Sequence, residues 1–463
     1  MKLRAAVILA AGEGSRLWPF NEVRQKCAFP IAGVPLVRRL AEDLVRLGVG
    51  EVAVVVGPGE ASVRHALHGL VPQPLIVRQP AGTTGSASAA VAGIGALPGE
   101  PEAVLILHGD LCTSPDNLRA LVDAAEAADC QAAALVQPLG AERSGDWICA
   151  ATSGGRLEGV WGHPRGGSQR LAGAYVFRQD AFAALRDNPG LVTGVEVGGM
   201  PPLEADLAAS LQLLLDDGVE VLAVEATGFH VDVDRPWHLL EANARLLEHL
   251  SSQLEGDRIH PTARVDDSAE VKGRLMLGPG ACVGRRCVVG GDLWLGAGAS
   301  VTNGAILKGR AHLGPEAVVR DHALLGENGS LGRAALMGHG AEMDGVVLER
   351  AYLYHYCEIS GVVGAAVDFG AATVCGTLRF DDANPAHLVK GRREVPPSDG
   401  GCSFFGDYSR TGVNSIIMPG VKVGIYSCVG PGVLLKEDLP NRTLVQVHQE
   451  LETKPWGPDR YGW

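Results

Sequence analysis

The chain has 463 residues, ten cysteines and a formal net charge of −13. That length exceeds one ordinary hydrophobic core and predicts at least two domains. An acidic balance with no Lys/Arg-rich run excludes a surface built for nucleic acid or for an anionic membrane. The cysteines show neither a CxxC pair nor Cys/His ligand spacing, so no zinc site or disulfide framework is expected, only reduced thiols in a cytoplasmic setting.

The opening run AAVILAAG is too short to cross a membrane and passes directly into charged EGSR; it reads as a buried first strand, not a signal peptide or span. Up to about residue 250, short β-rich runs (AAVILAA, VAVVV at Val52 to Val56, AVLILHGD at Ala103 to Asp110) alternate with helical patterns such as LVRRLAEDLVRLG. That alternation predicts a parallel sheet wrapped by helices over residues 1–250. Near its end, PWHLLEANARLLEHL keeps apolar residues at helical spacing behind Pro236, predicting an exit helix near 236–250.

The glycine loop after the first strand, LAAGEGSR, lacks the third glycine and the later acidic residue of a dinucleotide site, and it lacks the GK[ST] of a Walker loop. It offers a backbone nest at Gly12 and Gly14 with Arg16 beside it, suited to a triphosphate held by amides and a guanidinium. Lys26, in RQKCAFP, supplies a second cation nearby.

From Ile259 the pattern changes. Counting in sixes, all fifteen positions from Ile259 to Met343 are Ile, Val, Leu or Met. This hexapeptide repeat predicts a parallel β-helix over 257–445, its stacked aliphatic residues filling the interior. The phase stumbles at Glu349, His355 and Gly361, returns at Val367, breaks for a polar loop near 381–401, and resumes through Phe405, Ile417, Val423, Val429 and Leu435. The tail, 446–463, lacks the repeat and reads as a cap or a contact with a neighbouring subunit.

LAAGEGSRLWPFNEVRQKCAFPI resembles the signature of sugar-1-phosphate nucleotidylyltransferases, LAAGxGxRLxPxTxxxPKxxxPI, and three further stretches follow in the family's order: RQPAGTTGSASAA, LILHGDL and GFHVDVDRPWHLLEAN. With the repeat that follows, the chain resembles the bifunctional N-acetylglucosamine-1-phosphate uridylyltransferase/glucosamine-1-phosphate acetyltransferase type. The resemblance implies an α/β, Rossmann-like nucleotidyltransferase domain followed by a left-handed parallel β-helix. It implies that Leu9, Ala10, Gly12, Gly14, Gln79, Gly85 and Ser86 bind the nucleotide, with Gln79 reading a pyrimidine of UTP or dTTP. Arg16, Lys26 and Asp110 would serve catalysis, and Asp110 and Asp232 would hold Mg²⁺ between the α-phosphate and the incoming sugar phosphate. In the expected reaction the sugar-1-phosphate attacks the α-phosphorus in line and pyrophosphate leaves, a task of positioning and charge neutralisation. Family members with this β-helix form homotrimers.

The sugar side departs from the pattern. The Glu-Lys-Pro whose lysine holds the sugar phosphate stands as Gly162-His163-Pro164, the Asn-Ala-Gly as Leu171-Ala172-Gly173, and the Glu-Leu-Thr-Asp that clasps sugar hydroxyls as Leu203-Glu204-Ala205-Asp206. His163, Gly173 and Glu204 are therefore the sugar-side candidates. The change is read as a different acceptor or as a binding-only regulatory homologue, and a pure scaffold is the third alternative. In the second half, His355 falls on the family's acetyl-CoA-dependent general base, although YHYCEISG is one residue short beside it. Thr377 stands where an asparagine is expected, and Lys390 is a basic residue available for a phosphate. The expectation is weak or absent acetyl transfer and a β-helix that chiefly assembles the trimer.

Overall fold

The computed structural model describes residues 2–128, 130–140, 142–162, 166–188 and 205–458. The first half is a nine-stranded sheet built from β1 (Ala5–Ala10), β2 (Glu51–Val56), β3 (Leu75–Arg78), β4 (Ala103–His108), β6 (Ala132–Pro138), β7 (Ile148–Ser153), β8 (Arg156–Gly162), β9 (Gln169–Arg178) and β10 (Val221–Glu225). A separate pair joins β5 (Leu111–Thr113) to β11 (His230–Asp232). The sheet order is β3-β2-β1-β4-β9-β6-β10-β8-β7. The first strand is apolar throughout because both faces are covered: Ala6, Ile8 and Ala10 enter one core, and Ala5 and Val7 the opposite one. β1 to β4 pair in parallel, whereas β9 runs antiparallel to both β4 and β6. The sheet is thus mixed where strand–helix alternation predicted a parallel one. A buried strand has the same apolar pattern in either direction, so the sequence carries strand order better than strand sense.

Helix α1 (His238–Ser252) follows Pro236 and carries the chain out of this sheet. Leu239, Ala242, Leu246 and Leu247 form its buried stripe. They pack with Val346, Leu348 and Val362 of the second half, and Phe20, Phe29, Val233, Trp237, Val389 and Phe404 belong to the same apolar cluster. The two halves therefore share a core instead of being joined by a bare linker.

The second half is a left-handed parallel β-helix of two- and three-residue strands. Its register stacks Leu277 beside Ile259 and Val283 beside Val265, eighteen residues or three hexapeptides per coil. The repeat positions from Leu277 to Met343 are buried, with alanines such as Ala281, Ala299 and Ala317 filling the space between them. Ile259 and Val265 are exposed because they belong to the first coil, which has no coil before it.

The phase stumbles are coils shortened to sixteen residues: Val347 pairs with Leu331, Leu353 with Met337, and Val363 with Val347. The inward positions slip accordingly to Val347, Leu353, Ile359, Val363 and Phe369. The shortening falls at one corner, where Glu342–Val347 and Glu358–Val363 each run as one unbroken six-residue strand. Gly345 and Gly361 stack there, and a Cβ on Gly345 would lie 2.1 Å from the Gly361 carbonyl oxygen and 3.0 Å from Leu240 of α1. Deleting the projecting turn flattens the corner on which α1 rests. The interruption near 381–401 contains an antiparallel hairpin, His387–Val389 with Arg392–Glu394, folded against the first half. All ten cysteines are free thiols, and no helix among the described residues is long and apolar enough to cross a membrane.

Candidate active site

The parallel strands β3, β2, β1 and β4 end at one rim of the sheet, and a cleft of about 590 Å³ opens there, the place where open α/β sheets bind ligands. Leu9, Ala10, Gly12, Gly14 and Arg16 line it from the first loop, Gln79, Gly85 and Ser86 from the third strand and the following helix, and Asp110 from the end of β4. Lys26 and Asp234 lie on its floor.

The local backbone explains the glycine loop. Gly14 has φ +63, and a Cβ there would sit 2.8 Å from Lys26 Cβ. Glycine thus relieves the left-handed conformation and lets the 3₁₀ turn Lys26–Ala28 close against the loop. Gly12 has open space around it, leaving its backbone accessible to a ligand. The opposite wall is latched to the sugar-side segment: Ser86 Oγ accepts from the Leu207 amide at 2.9 Å, and the Ala87 amide donates to the Ala205 carbonyl at 2.7 Å. Gln79 Nε2 donates to the Gly85 carbonyl at 3.3 Å and to Ser88 Oγ at 3.0 Å, so its amide donors are used internally and Oε1 is the atom left to accept.

Asp110 and Asp232 are brought together by the β5–β11 pair, in which Asp232 is in register with Leu111 and the Val233 amide donates to the Asp110 carbonyl at 3.1 Å. Lys26 Nζ bridges Asp110 and Asp234, lying 3.1 Å from Asp234 Oδ1. Arg16 reaches Asp234 Oδ2 at 2.9 Å, and Arg235 pairs with the same carboxylate. Asp110 Oδ1 and Asp232 Oδ1 are both buried without a hydrogen-bond partner among the described residues.

Burial, reinforced by the neighbouring Asp110, pushes the Asp232 carboxyl up to about 6. Asp234 goes the other way: burial would raise it, but Lys26, Arg16 and Arg235 outweigh that and hold it at about 2. Burial alone would lower Lys26, yet Asp110, Asp234 and Asp232 raise it well above the ordinary lysine value. Lys26 is therefore a fixed cation held against three carboxylates, two of them with a free oxygen, of which Asp110 and Asp234 line the cleft and Asp232 lies outside its lining. That donor set suits a hard divalent cation completed by phosphate oxygens.

On the sugar side, Gly173 lies at the irregularity of β9 against Leu111 and His108, while His163 and Glu204 fall outside the described residues. Asp206 lines the cleft and caps the following helix, Leu207–Asp216, accepting from the Ala208 amide at 2.9 Å. Sequence reasoning missed three groups. Asp234 and Arg235 stand beside the predicted Asp232 in VDVDRP, where the alternation of acidic residues was the available signal. Arg170, two per cent exposed, has its guanidinium 3.8 Å from the Trp147 ring centroid and Nε 3.1 Å from Glu142 Oε2; nothing in its local sequence marks it. In the β-helix, His355 lies in the turn after Tyr352–Leu353 and meets Tyr354 and His339 through ring contacts at 5.6 and 6.4 Å. Thr377 is exposed just beyond the strand Val374–Cys375. Lys390, grouped with them by sequence, instead lines the cleft at the strand ends of the first half.

A family model described as the MobA-like NTP transferase domain matches residues 6–263. A bifunctional sugar-1-phosphate nucleotidylyltransferase/acetyltransferase from Sulfurisphaera tokodaii is 26% identical over 439 residues, covering 94% of this chain and 98% of its own length. A bifunctional protein GlmU from Methanococcus maripaludis is 29% identical over 455 residues, covering 96% and 98%. Among solved structures, a UDP-glucose pyrophosphorylase from Acinetobacter baumanii aligns with TM-score 0.45 and 16% identity over 55% of this chain and 95% of its own. The family match spans more than half of the sequence and contains the glycine loop and both Asp110 and Asp232: the chain belongs to the MobA-like NTP transferase family.

Proposed function

We propose that the protein transfers a nucleotidyl group from UTP or dTTP to a sugar-1-phosphate, releasing pyrophosphate and forming a nucleotide sugar. The observation that carries this reading is the pair Asp110 and Asp232, each with a buried unpartnered oxygen, set beside Lys26 and Arg16 under the glycine loop. Nucleotidyltransferases of this kind use a divalent metal, and Asp110 and Asp232 would hold it, Mg²⁺ being the ion that matches an oxygen-only donor set with phosphates. When bound, the ion supplies positive charge to the α-phosphate and the incoming sugar phosphate.

The chain's own groups do the rest. Amides around Gly12 and Arg16 bind the β- and γ-phosphates, and Lys26, fixed by its carboxylate partners, faces the charge that builds on the α-phosphoryl oxygens. The sugar-1-phosphate oxygen forms the new P–O bond as the bond to pyrophosphate breaks, and the leaving group takes the electron pair. Gln79 Oε1 suits a base that presents an imino N–H, as uracil and thymine do. The names of the relatives and the altered motifs around Leu171 and Glu204 together support a sugar-1-phosphate acceptor that the usual lysine does not hold. A pyrophosphate-release screen crossing nucleoside triphosphates with sugar-1-phosphates tests this. Turnover with a uridine or thymidine triphosphate supports it; nucleotide-sugar binding with no turnover for any pair points to a regulatory homologue instead.

The β-helix supports a homotrimer, which light scattering at micromolar concentration would register as three times the 48.3 kDa chain mass. Ten free thiols suit a cytoplasmic setting. The second activity named for the relatives would use acetyl-CoA, with His355 as general base. Because His355, Thr377 and Lys390 are not gathered into one site within the chain, thiol release from acetyl-CoA with glucosamine-1-phosphate is expected to be absent or very weak. Robust release lost in His355→Ala would establish the bifunctional enzyme.

A further inference from the structure

The hairpin inserted in the β-helix places a cation in the nucleotide cleft of the other half. Val389 and Arg392 are paired in register, which leaves Lys390-Gly391 as a two-residue turn, and both turn residues have positive φ, 48 and 81. Turns of this kind favour Asn, Asp or Gly at the first position, so a lysine is held there against local backbone preference.

Three contacts fix the hairpin. Glu394 accepts from Arg235 Nε at 2.6 Å and Nη2 at 3.2 Å, and Arg235 also pairs with Asp234, the carboxylate that binds Arg16 and Lys26. His387 packs its ring 5.2 Å from Trp237. The buried Lys422 donates to the Leu388 carbonyl at 2.7 Å. The open end of the hairpin is thus tied through a continuous ion-pair chain to Lys26 and Arg16 in the cleft, with the Lys390-Gly391 turn projecting from it.

Lys390 lines that cleft with Gly12, Gly14 and Arg16. Arg16 and Lys26 are both neutralised by aspartates, whereas Lys390 has no ion-pair or hydrogen-bond partner among the described residues. A bound triphosphate brings several negative charges that two paired cations do not balance.

We propose that Lys390 binds a phosphate oxygen of the nucleoside triphosphate, so that the β-helix completes the nucleotide site of the first half within the same chain. This rests on the nucleotidyl-transfer reading. It assigns the inserted hairpin a role in the first reaction, separate from trimer formation and acetyl transfer.

The test uses the full-length protein and the variants Lys390→Met and Lys390→Arg, both at an exposed turn position where the fold should be kept; circular dichroism checks this. Steady-state pyrophosphate release gives KM for each substrate and kcat, and calorimetric titration with UTP and Mg²⁺ gives affinity without turnover. Loss of one charge-assisted contact predicts a roughly 5- to 50-fold rise in KM and Kd for UTP in Lys390→Met. The same variant should show kcat and the sugar-1-phosphate KM within about threefold of wild type, and Lys390→Arg should restore most of the affinity. Unchanged UTP affinity overturns the proposal, as does a rise confined to the sugar-1-phosphate KM, which would move the contact to the other phosphate. If the wild type binds UTP but turns over no sugar, the functional reading fails while the titration still decides on Lys390. If it binds no nucleoside triphosphate, both fail.

Discussion

Replacing Phe404 by alanine should destabilise both halves of the chain together. Phe404 is fully buried, in a strand of the β-helix, yet its ring packs edge-on against Phe20 of the first half at 6.4 Å and against His387 of the hairpin at 5.6 Å. Phe20 in turn packs edge-on against Phe29 at 5.5 Å, immediately after the Lys26–Ala28 turn that carries the site's lysine. A buried Phe→Ala change costs about 3–5 kcal/mol in all, lost edge-to-face contacts of about 0.5–1.5 kcal/mol each included. A loss of about 4 kcal/mol is therefore expected. Phe404→Leu, which refills much of the volume, should cost about 1–2 kcal/mol. Urea unfolding followed by tryptophan fluorescence suits the measurement, because Trp237 belongs to the shared cluster. The variant should move the transition of the first half as much as that of the β-helix and should lower nucleotidyl transfer before global unfolding. A loss below about 1 kcal/mol, or one confined to the β-helix transition, would refute the shared core.

Gly14→Ala should leave secondary structure intact but cut nucleotidyl transfer by about tenfold or more, since the αL backbone costs an alanine about 1 kcal/mol and its Cβ would press on Lys26; circular dichroism with pyrophosphate release checks both halves of that statement. His387 is one per cent exposed, and its Nε2 donates to the Gly400 carbonyl at 2.8 Å. Burial first, and Lys422 to a lesser degree, lower it to about 4 against the opposing pull of the Gly400 carbonyl and Asp438. The unfolded chain then binds the extra proton between about pH 6.5 and 4, so this residue's stabilisation is complete above the upper value and fades as pH falls through the window. The slope approaches about 1.4 kcal/mol per pH unit. In His387→Gln the pH dependence of the urea midpoint over that range should be shallower than in the wild type, and an identical slope would contradict the assignment.

The parts of the molecule that repeat or lie close in sequence were legible without coordinates. The glycine loop, LHGD at a strand end and fifteen aliphatic positions in step each report a local requirement: a phosphate nest, a carboxylate at the rim, an interior-facing side chain. What escaped was set by distance along the chain. The bond from Arg235 to Glu394 joins residues 159 apart, and no local pattern encodes it, so the sequence alone groups Lys390 with the histidine of its own half. The stumbles at Glu349 and Gly361 were visible as lost phase, but their cause, the corner flattened under α1, depends on packing with the other half. Asp234 stands in plain view within VDVDRP, but its role as counter-ion to Arg16 and Lys26 depends on residues more than two hundred positions earlier in the chain. Arg170 is the hardest case, a basic residue near the start of an apolar strand whose partners Trp147 and Glu142 come from preceding loops.

The most direct test of the central claim, that Asp110 and Asp232 form the metal-binding heart of a nucleotidyltransferase, is pyrophosphate release by wild type, Asp110→Asn and Asp232→Asn at saturating UTP, Mg²⁺ and the best sugar-1-phosphate. Turnover in the wild type should vanish with a chelator and fall well below one tenth in both variants, a loss exceeding about 1.4 kcal/mol of transition-state stabilisation. Retention of more than a tenth of wild-type activity in either variant would contradict the account.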